Sequence, residues 1–162
     1  MKLYKPTEII VHCSDSEWGS VEVIDKWHKS RGWLECGYHF VIANGRPTAE
    51  SVPGEKGLGD GLVQMGRLVS FDGNIQEGAH CKKYNRSAVG ICLIGKKTFT
   101  DMQIFSLYKL ILRLQELNNF LYHRLAEPKV WGHYEIDSRK TCPNIDMDRF
   151  RAVLGFRKRF EV

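Results

Sequence analysis

EIIVHC, from Glu8 to Cys13, is a β-branched run bounded by Pro6 on one side and by the polar SDSEWGS on the other. A short apolar run between turn formers reads as a buried strand. Working outward, Tyr38–Ala43 (YHFVIA) reads as a second strand and Ala88–Ile94 (AVGICLI) as a third, apolar enough to lie centrally in a sheet covered on both faces. Lys129–Gly132 is a shorter candidate. Helices alternate with these strands. Ser20 caps one that runs to about Ser30, with Glu22 in its first turn and Gly32 as its stop. Thr100 and Gln103 match a capping box, after which Ile104, Leu107, Tyr108, Ile111, Leu114, Leu117 and Leu121 line one helical face. A last helix follows Asn144–Asp146 and runs to about Leu154. Strands alternating with helices predict an α/β sheet with helices packed on it.

The 162 residues suit one domain, with a core expected over about 8–154 and a basic tail at 155–162 that frays. The stretch Asn44–Gly61, rich in glycine and proline and without a helical or alternating period, reads as a long loop or lid. A 43% hydrophobic and 27% charged composition excludes a wholly disordered chain. No window approaches the roughly 20 apolar residues of a membrane span, and the start lacks a secretory signal, so synthesis is expected to end in the cytosol. The five cysteines are expected to be free thiols, core residues or metal ligands rather than a disulfide framework. A net charge of +5 favours an anionic partner: nucleic acid, a membrane surface or a wall polymer. The basic residues are spread out, which argues against nucleic acid.

Two motifs fail on their chemistry. Gly90 to Lys97 nearly spells a phosphate-binding loop, but Lys97 stands where Ser or Thr would hold magnesium, and ICLI is strand rather than glycine-rich cradle. His133-Tyr-Glu135 matches half of a zinc deaminase signature, but Cys142 lacks the second cysteine three residues on. His133 and Cys142, nine residues apart across a polar loop, can nevertheless reach one zinc ion, and with no Cys-x-x-Cys pair such a site would be open and catalytic. His12, where the first strand leaves the sheet, would supply a third ligand. Taken singly, each of the three is equally an ordinary buried or hydrogen-bonded residue.

The blocks VHCSDS (Val11–Ser16), WHKSRGW (Trp27–Trp33), GYHFVI (Gly37–Ile42), GAHCKKYN (Gly78–Asn85), VGICLIG (Val89–Gly95) and GHYE…RKTCP (Gly132–Pro143) follow one another in an order that resembles a known family. It is that of the zinc-dependent N-acetylmuramoyl-L-alanine amidases of the bacteriophage T7 lysozyme type, relatives of the peptidoglycan recognition proteins. The resemblance implies a single domain with a central mixed β-sheet flanked by helices. It implies zinc ligands at His12, His133 and Cys142, a catalytic pair at Tyr38 and Lys140, and substrate contacts at His80 and Asn85. His28, His39 and His123 are expected to be structural or exposed, and Trp27 and Trp33 to be core. Cys92 stands where some relatives carry a glutamate, and Ala88 where the family usually has serine.

The activity so implied is hydrolysis of the amide between N-acetylmuramic acid and L-alanine in peptidoglycan. The implied setting is a monomeric phage or prophage endolysin, made in the host cytoplasm and acting on the wall after release. A non-catalytic peptidoglycan-binding module is the alternative, as is a regulator of a cytosolic protein such as a phage RNA polymerase.

Overall fold

The parallel heart of the molecule forms from the three strands with the most apolar sequences. In the computed structural model, which describes residues 1–52, 59–121 and 129–158, β1 (Leu3–Tyr4) precedes β2 (Glu8–Cys13), α1 (Val21–Ser30) and β3 (Phe40–Asn44). Then come β4 (Asp60–Met65), β5 (Ile75–Gln76), β6 (Ala88–Leu93), α2 (Asp101–Leu121), β7 (Lys129–Gly132), α3 (His133–Ile136) and α4 (Met147–Lys158). The main sheet has the order β4-β3-β6-β2-β7. Its four inner and outer pairs are parallel except β3–β4, so the sheet is mixed, as expected. β1 and β5 make a separate antiparallel pair.

Successive side chains of a strand point to opposite faces. Ile9 and Val11 therefore share a face with Phe40, Ile42, Val89, Ile91 and Leu93, and this face packs on Leu107, Ile111 and Leu114 of α2 and on Met147, Phe150 and Leu154 of α4. The opposite face carries two smaller clusters. One joins Val41 and Cys92 to Ile24 of α1, and the other joins Ile10 and Ala88 to Cys81. On β2 and β6 the positions between those clusters are His12 and Gly90. The functional side chains gather over that gap.

The helix starts follow their sequence signals. Ser20 caps α1 by accepting from Val23 N at 3.4 Å. Thr100 Oγ1 accepts from Gln103 N at 3.0 Å while Gln103 Oε1 accepts from Thr100 N at 3.1 Å, the reciprocal pair of a capping box. Gln103 does more, because its side chain is buried and its amide donates to Ile94 O at 2.9 Å and Ile42 O at 3.0 Å. One polar side chain thus ties the start of α2 to the ends of β3 and β6.

Several elements differ from the expectation. The second strand begins at Phe40 rather than Tyr38, because His39 N already bonds Gly90 O outside the regular ladder. At the ends of the Asn44–Gly61 stretch Asn44 pairs with Asp60, so the stretch connects β3 to the edge strand β4. Its described part folds on itself, with Arg46 Nε donating to Ser51 O at 3.2 Å; residues 53–58 lie outside the described residues. β4 carries a glycine, a glutamine and exposed Leu62 and Met65, a weak alternation that hid it. α4 continues past Leu154 to Lys158, and the expected fraying beyond it, like His123, lies outside the described residues. Trp27 packs against the Ile24 cluster, but Trp33 is partly exposed, its ring on His28 at 4.4 Å.

Replacing Gln103 by Leu strips Ile94 O and Thr100 N of these partners, whereas Ile42 O keeps its bond from Ile94 N. The expected loss of stability is about 2 kcal/mol, read as a lower urea midpoint.

Candidate active site

Three stretches of chain converge where the parallel strands end. His12 is the penultimate residue of β2 and is 1% exposed. His133 opens α3 directly after β7, the neighbour of β2. The turn into α3 is held by Glu135, whose Oε2 accepts from Gly132 N at 2.7 Å and whose carboxylate takes two bonds of 2.9 Å from Arg151 of α4. Cys142 follows on a loop folded back so that Tyr134 N donates to Cys142 O at 3.0 Å. Beyond it the Cys142–Pro143 peptide is cis, and Asn144 Nδ2 donates to Lys96 O at 2.6 Å, fastening the loop to the chain that leaves β6.

The result is a close triangle. His12 Nδ1 and His133 Nδ1 are 3.1 Å apart, and Cys142 Sγ lies 3.7 Å from the first and 3.6 Å from the second. Two nitrogens and a sulfur on a tetrahedral zinc-sized ion would be separated by about 3.3 Å and about 3.6 Å. These three side chains can hold a metal ion and leave a fourth corner open. Among the described residues they form the one group of three or more His, Cys, Asp or Glu side chains with this convergence.

Within the triangle His12 is buried, whereas His133 and Cys142 are half-buried. Burial, then His80, His133 and Lys140, push the His12 imidazole well below the usual histidine range. Burial and then Lys140 also lower His133, against an opposing effect of Asp137. Both rings are thus neutral and able to offer a lone pair, and Lys140 stands two residues before Cys142 on the same loop. Tyr38 packs its ring 5.2 Å from that of His12, and burial, reinforced by the neighbouring thiols, raises its phenol well above the ordinary tyrosine value. It stays a neutral hydrogen-bond donor. Cys142 is raised by its hydrogen bond with Cys13 and by burial; a cation bonded to Sγ would reverse that, since coordination deprotonates a thiol.

His80 stands 3.0 Å from His12, Nδ1 to Nε2, and its other nitrogen lies 3.2 Å from Ala88 O. Both of its nitrogens are therefore engaged within the protein. Asn85 is next to the site through the loop only: its Oδ1 accepts from His80 N and Cys81 N, each at 2.9 Å. His39 is structural, fully buried with Nδ1 accepting from Gly90 N at 2.9 Å and Nε2 donating to Gln76 O at 2.8 Å. His28 likewise accepts from Gly37 N at 2.9 Å. Sequence reasoning missed Cys13 as the partner of Cys142, and missed Glu135 and Asn144 as the residues that hold His133 and the cysteine loop. The His133-x-Glu135 spacing was a signal for the second of these, since a glutamate at the third position of a helix reaches back to its start.

Residues 2–145 match the family described as N-acetylmuramoyl-L-alanine amidase. The chain belongs to that family. It is 32% identical over 148 residues to the endolysin of Escherichia phage T7, which takes in 88% of this chain and 83% of the phage protein. Its fold matches that of the N-acetylmuramoyl-L-alanine amidase LysC from Clostridium intestinale URNW with a TM-score of 0.69 at 25% identity, over 96% of this chain and 91% of that one. It also matches wild-type Drosophila PGRP-LB with a TM-score of 0.62 at 21% identity, over 89% and 86% of the two chains, a likeness of fold. The protein is thus an N-acetylmuramoyl-L-alanine amidase, and the bond it hydrolyses lies in peptidoglycan.

The amidase buries neutral histidines besides His12 and His133. Burial lowers His39 to about 4 and His80 to about 3, and His28 is lowered too, again mainly by burial. A histidine held below its unfolded value of about 6.5 contributes stability that is complete above that pH and is lost as the pH falls toward the folded value. With a chelator present, the urea midpoint of the amidase should therefore fall between about pH 7 and about pH 4.5. A midpoint that holds or rises on acidification over that window contradicts the buried neutral histidines.

Proposed function

We propose that this amidase is a zinc-dependent endolysin of a phage or prophage, made in the host cytoplasm and acting on the cell wall after release. The observation that carries the reading is the convergence of His12 Nδ1, His133 Nδ1 and Cys142 Sγ beside Tyr38 and Lys140. When bound by those three atoms, zinc supplies Lewis acidity toward a water and toward the scissile carbonyl. The 32% identity to a phage endolysin supports the biological setting. The net charge of +5 suits an anionic envelope.

The chain's own residues divide the remaining work by their surroundings. As the amide carbon becomes tetrahedral, its oxygen gains negative charge. The Tyr38 phenol, kept protonated by burial, donates a hydrogen bond to that oxygen without giving up its proton. The Lys140 ammonium stands on an exposed loop, fixed by Lys140 N donating to Asp137 O at 2.9 Å. It adds positive charge to the same loop as Cys142 and is the group we assign to protonate the departing amine of L-alanine. His80 and Asn85 shape the wall of the site next to His12.

Digestion of purified cell walls should release new alanine amino groups without new reducing sugar ends, and the protein should carry about one zinc per chain. Tyr38→Phe should lower kcat by about 10²- to 10³-fold with zinc content unchanged. Cys142→Ala combined with His133→Ala should lose both zinc and activity. Full lytic activity in that double variant, or in chelated protein free of zinc, overturns the proposal.

A further inference from the structure

His80 is wedged into a slot that only glycines leave open. A Cβ built on Gly90 of β6 would lie 2.5 Å from its Cδ2 and 2.6 Å from its Cγ, and one on Gly78 would lie 2.6 Å from Cδ2. The ring thus lies directly against the backbone of both glycines, where any side chain would collide with it. At one end of the ring Nε2 meets Ala88 O at 3.2 Å; at the other Nδ1 meets His12 Nε2 at 3.0 Å.

This line of atoms has one consistent assignment of protons. A carbonyl oxygen can only accept, so His80 Nε2 carries the hydrogen. The Nδ1 of a neutral imidazole is then a lone pair, so His12 Nε2 must donate to it. That leaves His12 Nδ1 without a proton, facing His133 Nδ1 and Cys142 Sγ. The backbone of β6 thereby sets, through two imidazoles, which nitrogen of His12 is free to bind a metal. We infer that His80 is a positioning residue: gripped by Gly78 and Gly90 and oriented by Ala88 O, it holds His12 in the tautomer whose Nδ1 points into the metal triangle. The inference rests on the zinc reading of that triangle, and it gives His80 a role directed at His12 rather than at the substrate.

The assignment is read directly by nitrogen-15 NMR of the imidazoles in zinc-free protein, where no metal imposes a tautomer. Both His12 and His80 should carry their proton on Nε2; a proton on Nδ1 of either overturns the inference. Zinc affinity, measured by competition with a chromophoric chelator, gives the second test. His80→Phe keeps the ring's bulk but offers no acceptor, and should weaken zinc binding by about 10- to 100-fold. His80→Gln, whose carbonyl oxygen can accept from His12 Nε2, should recover most of that loss. Equal zinc affinity in wild type and His80→Phe defeats the role of His80 alone. A wild-type protein that takes up no zinc defeats the metal reading itself. If the variants fail to fold, the tautomers of the wild-type protein still decide.

Discussion

Everything at the site depends on the registered alternation of β2 and β6. Ile9 and Val11 must face the α2 and α4 side for the core to close, and this forces Ile10 and His12 to the other. In the neighbouring strand the same constraint sends Val89, Ile91 and Leu93 to the core and leaves Ala88, Gly90 and Cys92 beneath the site. Small residues at those three places lower the floor of the sheet. The imidazole layer can then lie against backbone instead of on side chains. A shift of one residue would exchange Ile9 and Val11 for Ile10 and His12 on the helix side and would turn His12 into the hydrophobic core.

The same arrangement explains why so many polar rings can be buried without charge. A histidine in a dry site is stable only as the neutral form with both nitrogens partnered. His39 meets the condition with Gly90 N and Gln76 O, and His80 with Ala88 O and His12. His12 and His133 are different, since each turns Nδ1 toward the other and toward a thiol. Two ring nitrogens that near one another share at most one proton without repulsion. The lone pairs that remain are directed at a common point, which is the electrostatic requirement for a cation there. Cys142 Sγ, 3.7 Å from His12 Nδ1 and 3.6 Å from His133 Nδ1, is the third donor facing that point.

Sequence patterning made the architecture legible for physical reasons, whereas His12, His133 and Cys142 stood out together only through the order of motif blocks that resembles the amidase family. Apolar strands such as EIIVHC and AVGICLI carry their burial in their composition, and α2 carries its in the spacing of Leu107, Ile111 and Leu114. The capping signals at Ser20 and Thr100 are local, so they could be read residue by residue. β4 was hidden because an edge strand needs little hydrophobic alternation, with Leu62, Val63 and Met65 all exposed. The surroundings of the site were hidden for another reason. That Asn144 reaches Lys96 O, that Cys13 meets Cys142, and that Gly78 and Gly90 clasp one ring are contacts between distant parts of the chain. No periodicity records them.

A triangle of donors formed by three separate segments needs each segment held from outside. β2 is held on both edges by parallel partners, so His12 has no freedom beyond its own side chain. His133 depends on Glu135, which grips the first turn of α3 and the guanidinium of Arg151 together and so anchors that turn to α4. Cys142 depends on the bond from Tyr134 N and on the tether from Asn144 to Lys96. These supports are built from backbone groups and hydrogen bonds that need no metal. A site assembled in advance would bind an ion without the entropic cost of ordering three chain segments. The folding of the sheet and the readiness of the site are in this protein one event, because the strands that close the core are those that end at the ligands.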